Sequence, residues 1–173
     1  EKGYLKDLVL WSIRTKLAGG EGEEIPEPPT GKLKEHLGAF VTLKILGSLR
    51  GCIGNVIGST PLHTTVMAMA RSAAFEDPRF MPLTAEELEQ VDVEISILGP
   101  VTQCPDPEKV AVGRHGLIMR RYGRSGLLLP QVPEEWGWDR ETFLAQTCRK
   151  AGLPEDAWKD DETQIFWFEA EVF

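Results

Sequence analysis

The chain has 173 residues, 42% of them hydrophobic and 27% charged, with a net charge of -8. That balance suits one globular domain with a sizeable core and excludes a disordered chain. The acidic surplus excludes a broad basic surface for nucleic acid, and no apolar run approaches the ~20 residues of a membrane span.

Cysteine is used sparingly. Cys52, Cys104 and Cys148 are odd in number and widely spaced, with no C-x-x-C pair. Neither a disulfide scaffold nor a zinc site is expected from that pattern, and a reducing cytoplasm suits it. No signal-peptide pattern is seen at Glu1.

In chain order, Leu5, Leu8, Val9, Ile13 and Leu17 recur at helical spacing, which predicts an amphipathic helix over 4–17, stopped by Gly19-Gly20. Glu21 to Pro29 is acidic and Pro-rich and reads as an exposed connection. Ala39, Val41, Leu43 and Ile45 alternate with polar residues, and a tight turn at Gly47-Ser48 leads into a strand over 49–56, so the two form a hairpin. Thr60-Pro61 predicts a helix start with Thr60 as cap. The alanines that follow suggest close approach to another backbone. Thr84 and Glu87 stand at capping-box spacing. Val91, Val93, Ile95 and Ile97 alternate with Asp92, Glu94 and Ser96, the clearest half-exposed strand in the chain.

Beyond a Pro-rich linker around Cys104-Pro105-Asp106-Pro107, glycine-flanked turns at 113–116 and 123–126 bracket a strand over 117–122, a second hairpin or meander. Asp139 is placed to cap a helix that Gly152 closes. Phe166, Phe168, Ala170 and Val172 form a C-terminal strand. Short turns between strands, with helices interspersed, imply an antiparallel α+β domain.

The chemistry concentrates in Leu49-Arg50-Gly51-Cys52-Ile53-Gly54-Asn55. Strand alternation puts Arg50 and Cys52 on one face, beside glycines that leave room for a ligand, a bulge or another backbone. Arg50 is the candidate to stabilise a Cys52 thiolate, which would act as a nucleophile. Gly51, Gly54 and Asn55 are candidate ligand contacts, the backbone N–H groups near Gly54 and Asn55 suiting an oxyanion. His115 is the candidate base and Gln131 a candidate cleft residue. Each has a bland counterpart: a packing cysteine, a solvated turn histidine. Cys148 reads as core, Cys104 as incidental, and His36 and His63 as ordinary. The arginines 114, 120, 121 and 124 read as a solvated hairpin rather than an anion patch. The Glu76-Asp77-Pro78-Arg79 turn reads as structural.

Several segments together carry a family resemblance. They are Gly38-Ala39-Phe40-Val41-Thr42-Leu43, Leu49-Arg50-Gly51-Cys52-Ile53-Gly54, Ala73-Ala74-Phe75-Glu76-Asp77-Pro78-Arg79-Phe80, Val93-Glu94-Ile95-Ser96 and His115-Gly116-Leu117-Ile118. Further along come Gly126-Leu127-Leu128-Leu129-Pro130-Gln131-Val132, Gly137-Trp138-Asp139 and Thr147-Cys148-Arg149-Lys150-Ala151-Gly152-Leu153-Pro154. On these the chain resembles the AMMECR domain family, whose prokaryotic members are called AmmeMemoRadiSam system protein A. The resemblance covers nearly the whole chain, 1–173, as a single AMMECR-type domain. It implies an α+β fold with a central antiparallel sheet, flanking helices and two unequal lobes with a cleft between them. It also implies a cytosolic modification pathway with Memo-like and radical SAM proteins as partners, and names no reaction or cofactor.

Two functions follow. One is a thiol-dependent enzyme with Cys52 as nucleophile, Arg50 tuning it and His115 as base. The other is a non-catalytic scaffold that binds a small ligand or a protein, in which Arg50 recognises an anionic group and Cys52 only packs.

Overall fold

A computed structural model of the chain describes residues 1–20 and 23–173. These divide into two compact units: residues 1–97 with 171–173, and residues 98–170.

In the first unit, helix α1 (Lys2–Leu17) packs against α2 (Leu62–Phe75), burying Leu5, Val9 and Ile13 with Val66, Ala70 and Ala73. Strands β1 (Ala39–Ile45), β2 (Ser48–Asn55) and β3 (Val91–Leu98) form an antiparallel sheet with β1 in the middle. Val41, Leu43 and Ile95 turn one face of that sheet into the core, and Phe40, Thr42 and Lys44 fall on the other by strand alternation. The predicted hairpin is present, but its turn is Leu46-Gly47, both at positive φ, which matches the twist of the flanking strands. Ile95 and Phe173 exchange two backbone hydrogen bonds (2.9 and 3.1 Å), tying the last residue into this unit.

The predicted cap of α2 moves by one residue. Pro61 occupies the cap position, and the Thr60 hydroxyl pairs with the Thr65 hydroxyl (2.8 Å). The capping box is as predicted: in α3 (Ala85–Leu88) Thr84 accepts from Glu87 N–H, and the Glu87 carboxylate accepts from Thr84 N–H, both at 3.2 Å. Of the acidic connection, Glu21 and Gly22 lie outside the described residues, while 23–29 are irregular and mainly exposed.

The second unit is also antiparallel. Strand β7 (Gln164–Val172) pairs with the short β4 (Thr102–Gln103) and with β5 (His115–Arg121), and β5 pairs with β6 (Arg124–Leu128). Helix α5 (Arg140–Lys150) buries Phe143, Leu144 and Cys148 in the unit's core with Leu117 and Met119. Asp139 caps it by accepting from Thr142 N–H (2.8 Å), and Gly152 follows at φ +73°, as expected. Helix α4 (Gln131–Trp136), interrupted on paper by Pro133, was not expected. The protein is therefore α+β, built on antiparallel sheet. No helix among the described residues is long and apolar enough to cross a membrane.

Candidate functional site

The site is shaped by a bulge. Leu43 pairs with Gly51 but Lys44 pairs with Leu49, so Arg50 is an extra residue in β2 without a partner in β1. Directly opposed residues share a face of a sheet. Leu49 therefore lies on the same face as Lys44, Thr42 and Cys52, and the simple alternation across 49–52 is interrupted.

Arg50 is thereby freed to reach α3. Its Nε and Nη2 donate to the Glu87 carboxylate (2.7 and 3.1 Å), and Nη2 also donates to the Met81 carbonyl (2.7 Å). The side chain is 13% exposed and lies over the Phe80 ring, 5.6 Å from its centroid. The fork holds the Glu87 carboxyl below its usual range, Arg50 being the main cause. Since Glu87 also closes the capping box, one carboxylate fastens the bulge to the start of a helix.

Cys52 stands opposite Thr42, with Sγ 3.1 Å from Thr42 Oγ1. Its backbone N–H donates to Asp77 Oδ2 (3.0 Å). Asp77, its carboxylate 2% exposed, also accepts from Arg79 N–H (3.1 Å), Nε (3.0 Å) and Nη2 (2.8 Å). That set of donors, led by the Arg79 guanidinium, holds the Asp77 carboxyl far below the usual carboxylate range. Arg79 is half exposed and lies 5.6 Å from the Phe80 centroid. The turn at 76–79 is thus structural, as expected, and it also supplies the charges around the thiol.

Burial pushes the Cys52 thiol up. The Thr42 hydrogen bond and the Arg79 charge oppose that shift, whereas Asp77 and Glu94 add to it. The net direction keeps the sulfur protonated at neutral pH. The cation that acts on it is Arg79; Arg50, which alternation placed beside it, is engaged with Glu87.

Protein atoms fill the room left by the glycines. A Cβ on Gly51 would lie 2.1 Å from the Ala73 carbonyl of α2, and one on Gly54 would lie 2.3 Å from the Phe40 ring. The first is the close backbone approach that the alanine-rich helix suggested. Asn55 ends β2 opposite Ala39 and is exposed.

His115 and Gln131 belong to the second unit. His115 opens β5 and is 7% exposed, not a solvated turn residue. Its ring stacks on Trp167 (centroids 4.2 Å apart, planes at 25°), and Nδ1 accepts from Ala111 N–H (2.9 Å). In the neutral ring the single acceptor nitrogen is therefore occupied, and the proton sits on Nε2. Burial, aided by the Arg114 charge and opposed by Glu169, holds its pKa below the usual value. A base needs a nitrogen free to accept, so this geometry speaks against that role. Gln131 opens α4, half-buried.

The remaining candidates are structural. Cys148 is fully buried, and Cys104 Sγ donates to the Asp106 carbonyl (3.4 Å). All three cysteines are free thiols. Each hairpin arginine has its own local contact: Arg114 with Glu169, Arg120 over Phe166, Arg121 with Asp160 and Glu162, and Arg124 with the Gly152 carbonyl. Sequence reasoning missed Thr42 and the reach of Asp77 and Arg79 to Cys52. A perfect two-residue hairpin would have set Thr42 opposite Gly51, and only the bulge moves it opposite Cys52.

These features define an α+β protein with a free cysteine on the polar face of a short antiparallel sheet, braced by an Asp–Arg pair. The AMMECR1 family model matches residues 7–173, and the chain belongs to that family. A protein of Thermococcus gammatolerans is 46% identical over 98% of this chain and 88% of its own length. A protein of Thermococcus kodakarensis is 48% identical over 87% of this chain and 78% of its own. The crystal structure of an uncharacterized protein from Pyrococcus horikoshii superposes with a TM-score of 0.93 at 42% identity, covering 98% of this chain and 88% of that one.

Proposed function

We propose that the chain works as one AMMECR-type domain that binds a small ligand or a protein partner, with the polar face around Thr42, Cys52 and Arg79 as its contact surface and Cys52 as a neutral thiol. The observation that carries this reading is the state of Cys52: its burial outweighs the Thr42 hydrogen bond and the Arg79 charge, and raises its pKa. A thiolate nucleophile needs the opposite environment. Arg79 fits the recognition role first given to Arg50, because its guanidinium is half exposed and fixed from behind by Asp77. The resemblance to AmmeMemoRadiSam proteins supports a cytosolic setting and Memo-like and radical SAM partners. One observation favours the thiol-enzyme reading instead, namely that the Thr42 hydrogen bond and the Arg79 charge do lower the Cys52 pKa in part.

Alkylation by iodoacetamide, followed against pH by peptide mass, separates the two. Cys52 is expected to react only above the ordinary thiol value of about 8.5. A midpoint well below that value overturns the binding reading and restores the nucleophile. A thermal-shift series with phosphate and small carboxylates is the complement: stabilisation by any of them is expected to disappear in Arg79→Ala and to persist in Arg50→Lys.

A further inference from the structure

We infer that the second unit carries a separate docking corner for an arginine side chain of a basic partner segment, built on Trp136 and Trp138. Trp136 is 71% exposed, an unusual state for the largest apolar side chain. It stacks with Trp138, the planes 15° apart and the centroids 6.2 Å apart. Trp138 packs against the buried cluster that holds Phe143 and Cys148, so the outer ring is backed by a fixed inner one.

The backbone between the rings is also fixed. Gly137 ends α4 at φ +67°, Trp138 N–H donates to the Pro133 carbonyl (2.8 Å), and Gly137 N–H donates to the Glu134 carbonyl (3.3 Å). This left-handed helix end defines the path from one indole to the next. A rigid, exposed aromatic ring loses little entropy when something stacks on it, which is why such rings anchor interfaces.

Charge selects what stacks. Residues 134–141 contain four carboxylates (Glu134, Glu135, Asp139 and Glu141) against one cation. That cation, Arg140, donates to the Glu108 carbonyl (3.0 Å) and pairs with its carboxylate. Indole faces bearing negative quadrupoles beside exposed carboxylates attract a cation, and the planar guanidinium both stacks and forks onto carboxylate. A carboxylate or a phosphate would be repelled at the same place. Because this corner lies outside the residues around Cys52, it stands or falls apart from the binding reading given to that face.

The test uses the full chain labelled with 5-fluorotryptophan, whose five tryptophans give five fluorine signals assigned by single Trp→Phe variants. The probe is a short arginine-rich peptide, with a glutamate-rich peptide and a neutral oligosaccharide in parallel. The Trp136 and Trp138 signals are expected to shift saturably with the arginine peptide alone. The affinity is expected to fall at least about tenfold in Trp136→Ala and to be largely kept in Trp136→Phe. Equal shifts of all five signals, no shift, an unchanged affinity in Trp136→Ala, or the same response to the oligosaccharide would each overturn the proposal.

Discussion

The carboxylate of Asp77 accepts the backbone N–H of Cys52 at 3.0 Å, so a side chain from the turn after α2 seals an outward-facing donor of β2. The same carboxylate holds Arg79 N–H and the Arg79 guanidinium. Asp77→Ala leaves two backbone donors without this acceptor, at about 1–3 kcal/mol for each that stays buried. Asp77→Asn keeps an acceptor and is expected to cost less. Urea unfolding at pH 7 measures both, and an alanine variant as stable as the parent would refute the account.

Asp77 also sets a pH dependence. Its carboxyl lies below the unfolded value of about 3.9, so the unfolded state takes up the proton first. The stabilisation is fully present above that value and is lost as the pH falls below it towards the depressed native value. Stability at pH 3 is therefore expected to recover in part, relative to the parent, when Asp77→Asn removes the titration. If the difference between the two proteins is the same at pH 3 as at pH 7, the linkage is absent.

Gly51 and Gly47 make a second comparison. At Gly51 an added methyl meets the backbone of α2 at 2.1 Å, which no rotamer change relieves. At Gly47 nothing lies within 4 Å, but φ is +78°. Gly51→Ala is expected to cost about 1–3 kcal/mol or more as α2 is pushed away from the sheet. Gly47→Ala is expected to cost about 1–2 kcal/mol from backbone conformation alone. Thermal unfolding ranks them, and the reverse order would show that α2 yields more easily than its packing suggests.

Local patterns were legible in the sequence, and contacts between distant segments were not. The strand over 91–97, the Thr84–Glu87 box and the Asp139–Gly152 helix ends are decided within a few residues, and each is present, although Ser96, read as part of the exposed face, is fully buried. The β2 bulge is not local in that sense. It depends on Arg50 finding Glu87, 37 residues away, and on Gly51 meeting Ala73. Once it forms, Thr42 faces Cys52, and the guanidinium whose charge acts on the thiol is that of Arg79. His115 was read as a turn residue from its glycine neighbours, but stacking on Trp167 draws it into β5. Helix α4 was hidden by Pro133, which sits within its first turn, where no backbone N–H is needed.

The two arginines near Cys52 should separate cleanly. The Arg79 charge lowers the thiol's pKa, whereas Arg50 is paired with Glu87. Arg79→Ala is expected to move Cys52 alkylation to still higher pH, since it removes the cation and leaves Asp77 beside the sulfur. Arg50→Lys is expected to leave the alkylation profile in place while losing the bidentate fork and some stability. A shifted profile in the Arg50 variant, with none in the Arg79 variant, would reinstate Arg50 as the group that tunes the thiol.

His115 yields the last prediction, and its sign differs from that of a salt-bridged histidine. Its native pKa lies below the ordinary value of about 6.5, because protonation charges a buried ring and turns Nδ1 from acceptor to donor against Ala111 N–H. The unfolded chain therefore binds the proton more readily than the folded one. The contribution of His115 to stability is complete above the unfolded pKa and is lost as the pH falls through it towards the native value. Unfolding midpoints in urea are expected to drop between pH 7.5 and 5.5, and His115→Phe, which keeps a ring against Trp167 but cannot titrate, is expected to flatten that drop. Nitrogen-15 spectra of the folded protein should show the neutral ring protonated on Nε2, with the second proton taken up below the ordinary value. A ring that takes up its second proton at or above pH 6.5 would show that the Ala111 contact does not hold the neutral form.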